Sequence, residues 1–127
     1  MKKKEKEMLK KSILIVDDEI GITEPLSYFF DDQGWEPITA KNGEEALQVL
    51  QDKTITAILS DVRMPIMDGI SLLAKVRENP STKEIPFYFM TGYAKESKEE
   101  MMKLGATHIF DKPFQIEELL EVILKTK

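Results

Sequence analysis

Five short apolar runs, each followed by a segment of helical periodicity, constrain the fold of this chain more than any other feature. The runs lie at Ile13–Val16, Pro37–Ala40, Ile55–Leu59, Pro86–Met90 and Thr107–Phe110. Helical spacing of apolar residues follows over Ile20–Asp32, Gly43–Asp52, Gly69–Glu78 and Lys95–Leu104. It returns over Gln115–Lys125, where Ile116, Leu119, Leu120 and Ile123 keep i, i+3, i+4, i+7 order. Runs such as "ILIV" and "FYFM" are apolar at every position, which suits strands buried on both faces. Such strands belong to a parallel sheet with helices above and below it. The short connections "DQG", "ENPST" and "KLGA" supply the turn chemistry. Pro25 is the one discord: either the first helix begins near Thr23, with Pro25 in its first turn, or it bends at Pro25.

An open sheet of this kind binds ligands beyond the carboxyl ends of its strands. Asp17 and Asp18 close the first strand, Asp61 the third, Thr91 the fourth and Lys112 the fifth. Adjacent carboxylates are costly. Two unit charges 4 Å apart repel by about 4 kcal/mol at an effective dielectric near 20, against a domain stability of about 5–15 kcal/mol. A divalent cation offsets that repulsion. Mg2+ takes oxygen ligands, keeps several waters and uses one or two carboxylates plus phosphate oxygens. Asp18 and Asp61 suit direct ligation, with Asp17 holding a coordinated water, and Mn2+ is an acceptable substitute. A carboxylate also serves as a nucleophile toward a phosphoryl group. Lysine, hydroxyl and metal then neutralise the phosphoryl oxygens.

Each of these residues has a plainer reading. Asp17–Asp18 alone is a helix N-cap, and Asp68, before Gly69, is the N-cap of the third helix. His108 reads as a surface strand residue, and Glu117, Glu118 and Glu121 as a solvated helix face. One of Met101 and Met102 reads as core. Trp35 opens the second strand, away from the acidic edge.

Composition removes whole classes of chemistry. The chain of 127 residues contains no cysteine and one histidine. Disulfides, thiol catalysis and thiolate or multi-histidine zinc centres are therefore excluded. No apolar run is long enough to span a membrane, and the reading places the chain in the cytoplasm. The net charge of −5 is uneven: residues 1–11 carry six lysines and two glutamates, and the rest of the chain is strongly acidic. An acidic body argues against direct nucleic-acid binding. The expected organisation is a flexible basic leader over residues 1–11 and one domain over residues 12–127.

The motifs "ILIVDDE", "LSDVRMPIMDG", "MTG" and "DKPF", in this order and at these separations, resemble the receiver domain of two-component response regulators. The resemblance runs from residue 12 to about residue 125. It implies a flavodoxin-like (βα)5 fold, an α/β architecture with a five-stranded parallel sheet of order 2-1-3-4-5. It implies phosphoryl transfer onto Asp61 from a sensor histidine kinase or histidine phosphotransfer protein. Asp17, Asp18 and Asp61 match the Mg2+ ligands, joined by the backbone carbonyl of Arg63. Thr91 matches the switch hydroxyl, Lys112 the phosphate-binding lysine, and Lys112–Pro113 a cis peptide bond. Arg63 and Tyr93 fall at the two positions that tune phosphoryl lifetime, and both are large enough to shield the phosphate. The chain departs from the family at Ile109, where an aromatic switch residue is usual. Strand alternation turns the neighbouring Phe110 to the opposite face.

The function expected on this basis is a stand-alone phosphoacceptor switch, monomeric or weakly dimeric. It is not an enzyme in the ordinary sense, although it catalyses its own phosphotransfer and autodephosphorylation. Its output is binding of a downstream protein through the fourth helix, fifth strand and fifth helix. Two neighbouring readings keep the fold: the receiver portion of a longer regulator, and a degenerate receiver that acts by protein binding alone. A phosphohydrolase with an aspartate nucleophile is disfavoured, because such enzymes carry a second acid where Arg63 stands.

Overall fold

The structure, a computed structural model, describes residues 11–92 and 98–125. Five strands, β1 (Ser12–Val16), β2 (Glu36–Ala40), β3 (Ala57–Asp61), β4 (Phe87–Thr91) and β5 (His108–Asp111), alternate with five helices. The helices are α1 (Ile20–Asp32), α2 (Gly43–Asp52), α3 (Gly69–Glu78), α4 (Lys98–Lys103) and α5 (Ile116–Lys125). All neighbouring strands pair in parallel, in the order β2-β1-β3-β4-β5. The architecture is the flavodoxin-like α/β sheet implied by the sequence.

Alternation along the strands divides the core in two. Leu14, Val16, Ile58, Phe87 and Phe89 join Ala46 of α2, Leu72 and Val76 of α3 and Met101 of α4 on one side of the sheet. Ile13, Ile15, Leu59, Tyr88, Met90 and Phe110 join Leu26 and Phe30 of α1 and Leu119 and Ile123 of α5 on the other. Both clusters are buried, and this burial, at about 25 cal/mol per Å² of apolar surface, is the main favourable term of folding.

Side-chain caps mark the starts of α2 and α3. Asn42 caps α2 by accepting from the Glu45 N–H, and Asp68 caps α3 by accepting from the Ser71 N–H, each at 2.8 Å. α1 begins at Ile20, not near Thr23, and carries Pro25 inside it. The missing N–H at Pro25 deprives the Gly21 carbonyl, one turn earlier, of its helical partner. Glu19, and neither Asp17 nor Asp18, occupies the N-cap position of α1, with no side-chain cap bond. β3 begins later than its apolar run suggests. Ile55 and Thr56 precede it, and Thr56 is bound to Ser12 through its N–H and its hydroxyl. Residues 1–10 of the basic leader, Tyr93 and the expected first turn of the fourth helix at 95–97 lie outside the described residues.

Candidate functional site

Strand register brings the acidic residues together. Val16 pairs with Ser60, so Asp17 and Asp61, each one residue further on, emerge side by side at the carboxyl edge. This is also where strand order reverses, with β2 on one side of β1 and β3 on the other. Asp61 pairs with Met90, and Met90 with Phe110, so Thr91 and Lys112 arrive at the same edge. Two backbone bonds extend the ladder past the strand ends: Asp17 N–H donates to Ala40 at 3.0 Å, and Lys112 N–H donates to Thr91 at 2.8 Å. The Lys112–Pro113 peptide bond is cis.

The Lys112 ammonium lies between two carboxylates, 3.5 Å from Asp17 Oδ2 and 3.7 Å from Asp61 Oδ1. Asp17 Oδ1 accepts from the Glu19 N–H at 3.0 Å, and Asp61 Oδ1 accepts from the Val62 N–H at 2.8 Å. Asp17 Oδ2 is buried and has no hydrogen-bond partner. Burial pushes the Asp17 carboxyl up to about 6; the Glu19 N–H and the Lys112 ammonium oppose the rise, and the Asp61 and Glu19 charges add to it. Burial also raises Asp61, with Lys112 and the Val62 N–H opposing and the Asp18 and Glu19 carboxylates adding to the rise.

Carboxylate oxygens of Asp17, Glu19 and Asp61 lie within 4.8 Å of one another. Glu19 was not among the ligands expected from sequence, although it is the third acid of "DDE". Asp18, expected as a direct ligand, is exposed and stands outside that group of three. It remains near enough to raise the Asp61 carboxyl. The chemistry of this donor set fits a hard dication: all the donors are oxygens, and a buried carboxylate oxygen lacks a proton donor. Arg63 is exposed, Thr91 is buried at the end of β4, and Ile109 is half-buried against the Phe87–Phe89 side of the core. Phe110 packs on the opposite side, as alternation requires.

The loop after Asp61 is held from behind. A Cβ on Gly69 would stand 2.2 Å from the Asp61 carbonyl oxygen, and the Gly69 N–H donates to Val62 at 2.8 Å. The Gly43 N–H, in the first turn of α2, donates to Met67 at 2.9 Å. Between these anchors Ile66 takes φ +70° with its side chain 76% exposed, a backbone conformation that a β-branched residue seldom adopts.

The family described as "Response regulator receiver domain" matches residues 13–124. Regulatory protein AtoC of Escherichia coli (strain K12) is 41% identical over 108 residues, which cover 84% of this chain and 23% of AtoC. Sporulation initiation phosphotransferase F of Bacillus subtilis (strain 168) is 34% identical over 119 residues, 93% of this chain and 94% of that protein. Among solved structures, chemotaxis protein CheY4 of Vibrio cholerae matches with a TM-score of 0.85 at 34% identity, covering 93% of this chain and 99% of CheY4. Receiver domains are phosphoacceptor signalling domains of two-component systems that bind Mg2+ at an acidic pocket. With the match spanning nearly every described residue, this chain belongs to the response regulator receiver domain family.

Proposed function

We propose that Asp61 accepts a phosphoryl group from a histidine kinase or histidine phosphotransfer protein, and that the acidic pocket exists to make that transfer feasible. The observation that carries this reading is the position of Lys112, whose ammonium spans Asp17 and Asp61 while Asp17 Oδ2 stays buried without a hydrogen-bond donor. Asp17, Asp18, Glu19 and Asp61 bring four carboxylates to this edge against the Lys112 ammonium, an excess of negative charge that a dication would offset. Asp17, Asp18 and Asp61, with the Arg63 carbonyl, would hold Mg2+ or Mn2+, and Glu19 stands close enough to join them. Bound there, the ion supplies positive charge for the phosphoryl oxygens.

The chain's own residues do the rest. Asp61 Oδ1 is held by the Val62 N–H and faces Lys112, which assigns the attack on phosphorus to Oδ2. The O–P bond forms as the histidine N–P bond breaks; the histidine nitrogen keeps the bonding electrons and takes up a proton. The Lys112 ammonium turns from the carboxylates to a phosphoryl oxygen, and the Thr91 hydroxyl donates to another. Hydrolysis of the acyl phosphate by water returns the carboxylate. Arg63 and Tyr93 are assigned the shielding of that bond.

The output in this reading is a shift between two packings of the α4–β5–α5 face, which changes affinity for a downstream protein. Ile109 gives the face an aliphatic residue at the family's aromatic switch position. The setting proposed is cytoplasmic, and among the described residues no helix is long and apolar enough to cross a membrane. The test is intact mass after incubation with Mg2+ and a small-molecule phosphodonor. Wild type gains one phosphoryl group, and Asp61→Asn or chelation of the metal abolishes the gain. A gain that survives Asp61→Asn would overturn the assignment.

A further inference from the structure

The two ends of α4 are held by different means. At its carboxyl end Met101 is buried, and the Gly105 carbonyl accepts from Arg77 Nε at 3.1 Å and Nη2 at 2.8 Å. The same guanidinium donates through Nη1 to the Lys83 and Ile85 carbonyls, so this end of α4 is tied to α3 and to the approach to β4. At Lys98, the first described residue of α4, the ammonium meets Asp111 Oδ2 of β5 at 2.5 Å, with the side chains 57% and 63% exposed. These two attachments tie the described part of α4 to its neighbours.

Asp111 occupies a particular place. It precedes Lys112, whose ammonium spans the two buried carboxylates, and it pairs in register with Thr91. The Lys112 N–H is bonded to the Thr91 carbonyl. Any displacement of Thr91 or Lys112 toward a phosphoryl group therefore pulls on the backbone that carries Asp111. An ion pair exposed to water is weak and breaks readily, whereas the Arg77 attachment is multiple and half-buried.

We infer that the Lys98–Asp111 ion pair is an autoinhibitory latch: it pins Lys98 of α4 to β5 in the unphosphorylated packing, and its release lets α4 swing about the end fixed by Arg77. This rests on the reading of Asp61 as the phosphoacceptor. The latch sets how readily the switched packing is reached, and Lys98 and Asp111 are regulatory positions outside the reacting site.

The test compares wild type, Lys98→Met, Asp111→Asn and the charge-exchanged pair Lys98→Asp/Asp111→Lys. The first measurement is hydrogen exchange of the α4 amides in the metal-free protein, which does not depend on phosphate chemistry. Both single variants are expected to exchange two- to fivefold faster at residues 102–104, whose amides have helical acceptors within α4, with the exchanged pair returning to the wild-type rate. Unchanged exchange in both single variants overturns the latch. The second measurement is affinity for beryllofluoride, a phosphoryl mimic, in the presence of Mg2+. Both single variants are expected to bind about two- to fivefold more tightly. They change local charge in opposite directions, so a purely through-space effect would move the affinities apart; that result overturns the latch and leaves Asp61 as phosphoacceptor intact. Failure of wild type to bind beryllofluoride overturns the phosphoacceptor reading, and the regulatory role of the latch with it.

Discussion

The Lys112 ammonium sits 3.5 Å from Asp17 Oδ2 and 3.7 Å from Asp61 Oδ1, so one cation just past the last strand serves carboxylates at the ends of the first and third. One positive charge does not neutralise two. The imbalance shows in the upward displacement of both carboxyls, Asp17 to about 6.

A group raised on folding stabilises the fold while protonated and loses that contribution as pH rises. The metal-free protein should therefore lose stability between about pH 4 and pH 7 as Asp17 gives up its proton. The loss is on the order of 3 kcal/mol, from a shift of about two pH units. Mg2+ should reverse the trend, and its affinity should fall as pH drops through about 6. Urea unfolding across this range, in chelator and in Mg2+, checks both statements. Asp17→Asn should flatten the pH dependence and stabilise the metal-free protein at neutral pH. A metal-free stability that rises with pH over this window would contradict the account.

Gly69 and Gly21 should respond oppositely to alanine. At Gly69 a methyl group would lie 2.2 Å from the Asp61 carbonyl oxygen and 2.9 Å from Phe89, so α3 or the Asp61 loop must move. Gly69→Ala should cost about 3 kcal/mol or more, in line with severe core overpacking. Gly21 is inside α1 with nothing within 4 Å of the new methyl group. Gly21→Ala should stabilise by about 0.5–1 kcal/mol. Denaturant midpoints of the two variants give the comparison directly.

Ile66 holds φ +70° and gains little from burial. Asparagine tolerates this conformation far better than a β-branched residue. Ile66→Asn should raise stability by about 0.5–1 kcal/mol and leave the Gly43–Met67 hydrogen bond in place. A lower unfolding midpoint would mean that the Ile66 side chain has a packing role.

Arg77 donates four hydrogen bonds to three backbone carbonyls. Arg77→Met keeps much of the aliphatic stem and strands those acceptors, at a cost of about 2–3 kcal/mol. Hydrogen exchange should quicken around Gly105 and at residues 83–85 before it does elsewhere. Protection unchanged at both places would sink the assignment of Arg77 as the tie between α3 and α4.

How much of this was legible beforehand depends on the kind of signal involved. α1, α2 and α3 follow the apolar period to the residue, because burial of one helical face both writes the pattern and sets the limits. β3 is offset because Ile55 is apolar yet lies outside the ladder; the bonds between Ser12 and Thr56 end the pairing there, and no periodicity encodes them. The alternative start of α1 near Thr23 fails because Pro25 reads as a first-turn residue, whereas it lies one turn into a helix that begins at Ile20. Convergence at the acidic edge follows from strand-end residues and the rule for open sheets. Glu19, by contrast, joins Asp17 and Asp61 only through the local turn in which the Asp17 carboxylate accepts its N–H. Arg77 looked like an ordinary charged residue at a helix end, since nothing in "KVREN" announces that its partners lie up to 28 residues away.

The order of synthesis gives the Lys112 position one more meaning. Asp17 and Asp61 leave the ribosome first, and the lysine that sits between them follows the last strand. Until β5 docks, the growing chain holds two converging carboxylates with no cation of its own. Without that cation the two carboxylates oppose close approach at this edge. The last strand therefore does more than complete the ladder: it turns a repulsive junction into a receptor, so a chain ending short of residue 112 would carry the acids of the site without its chemistry.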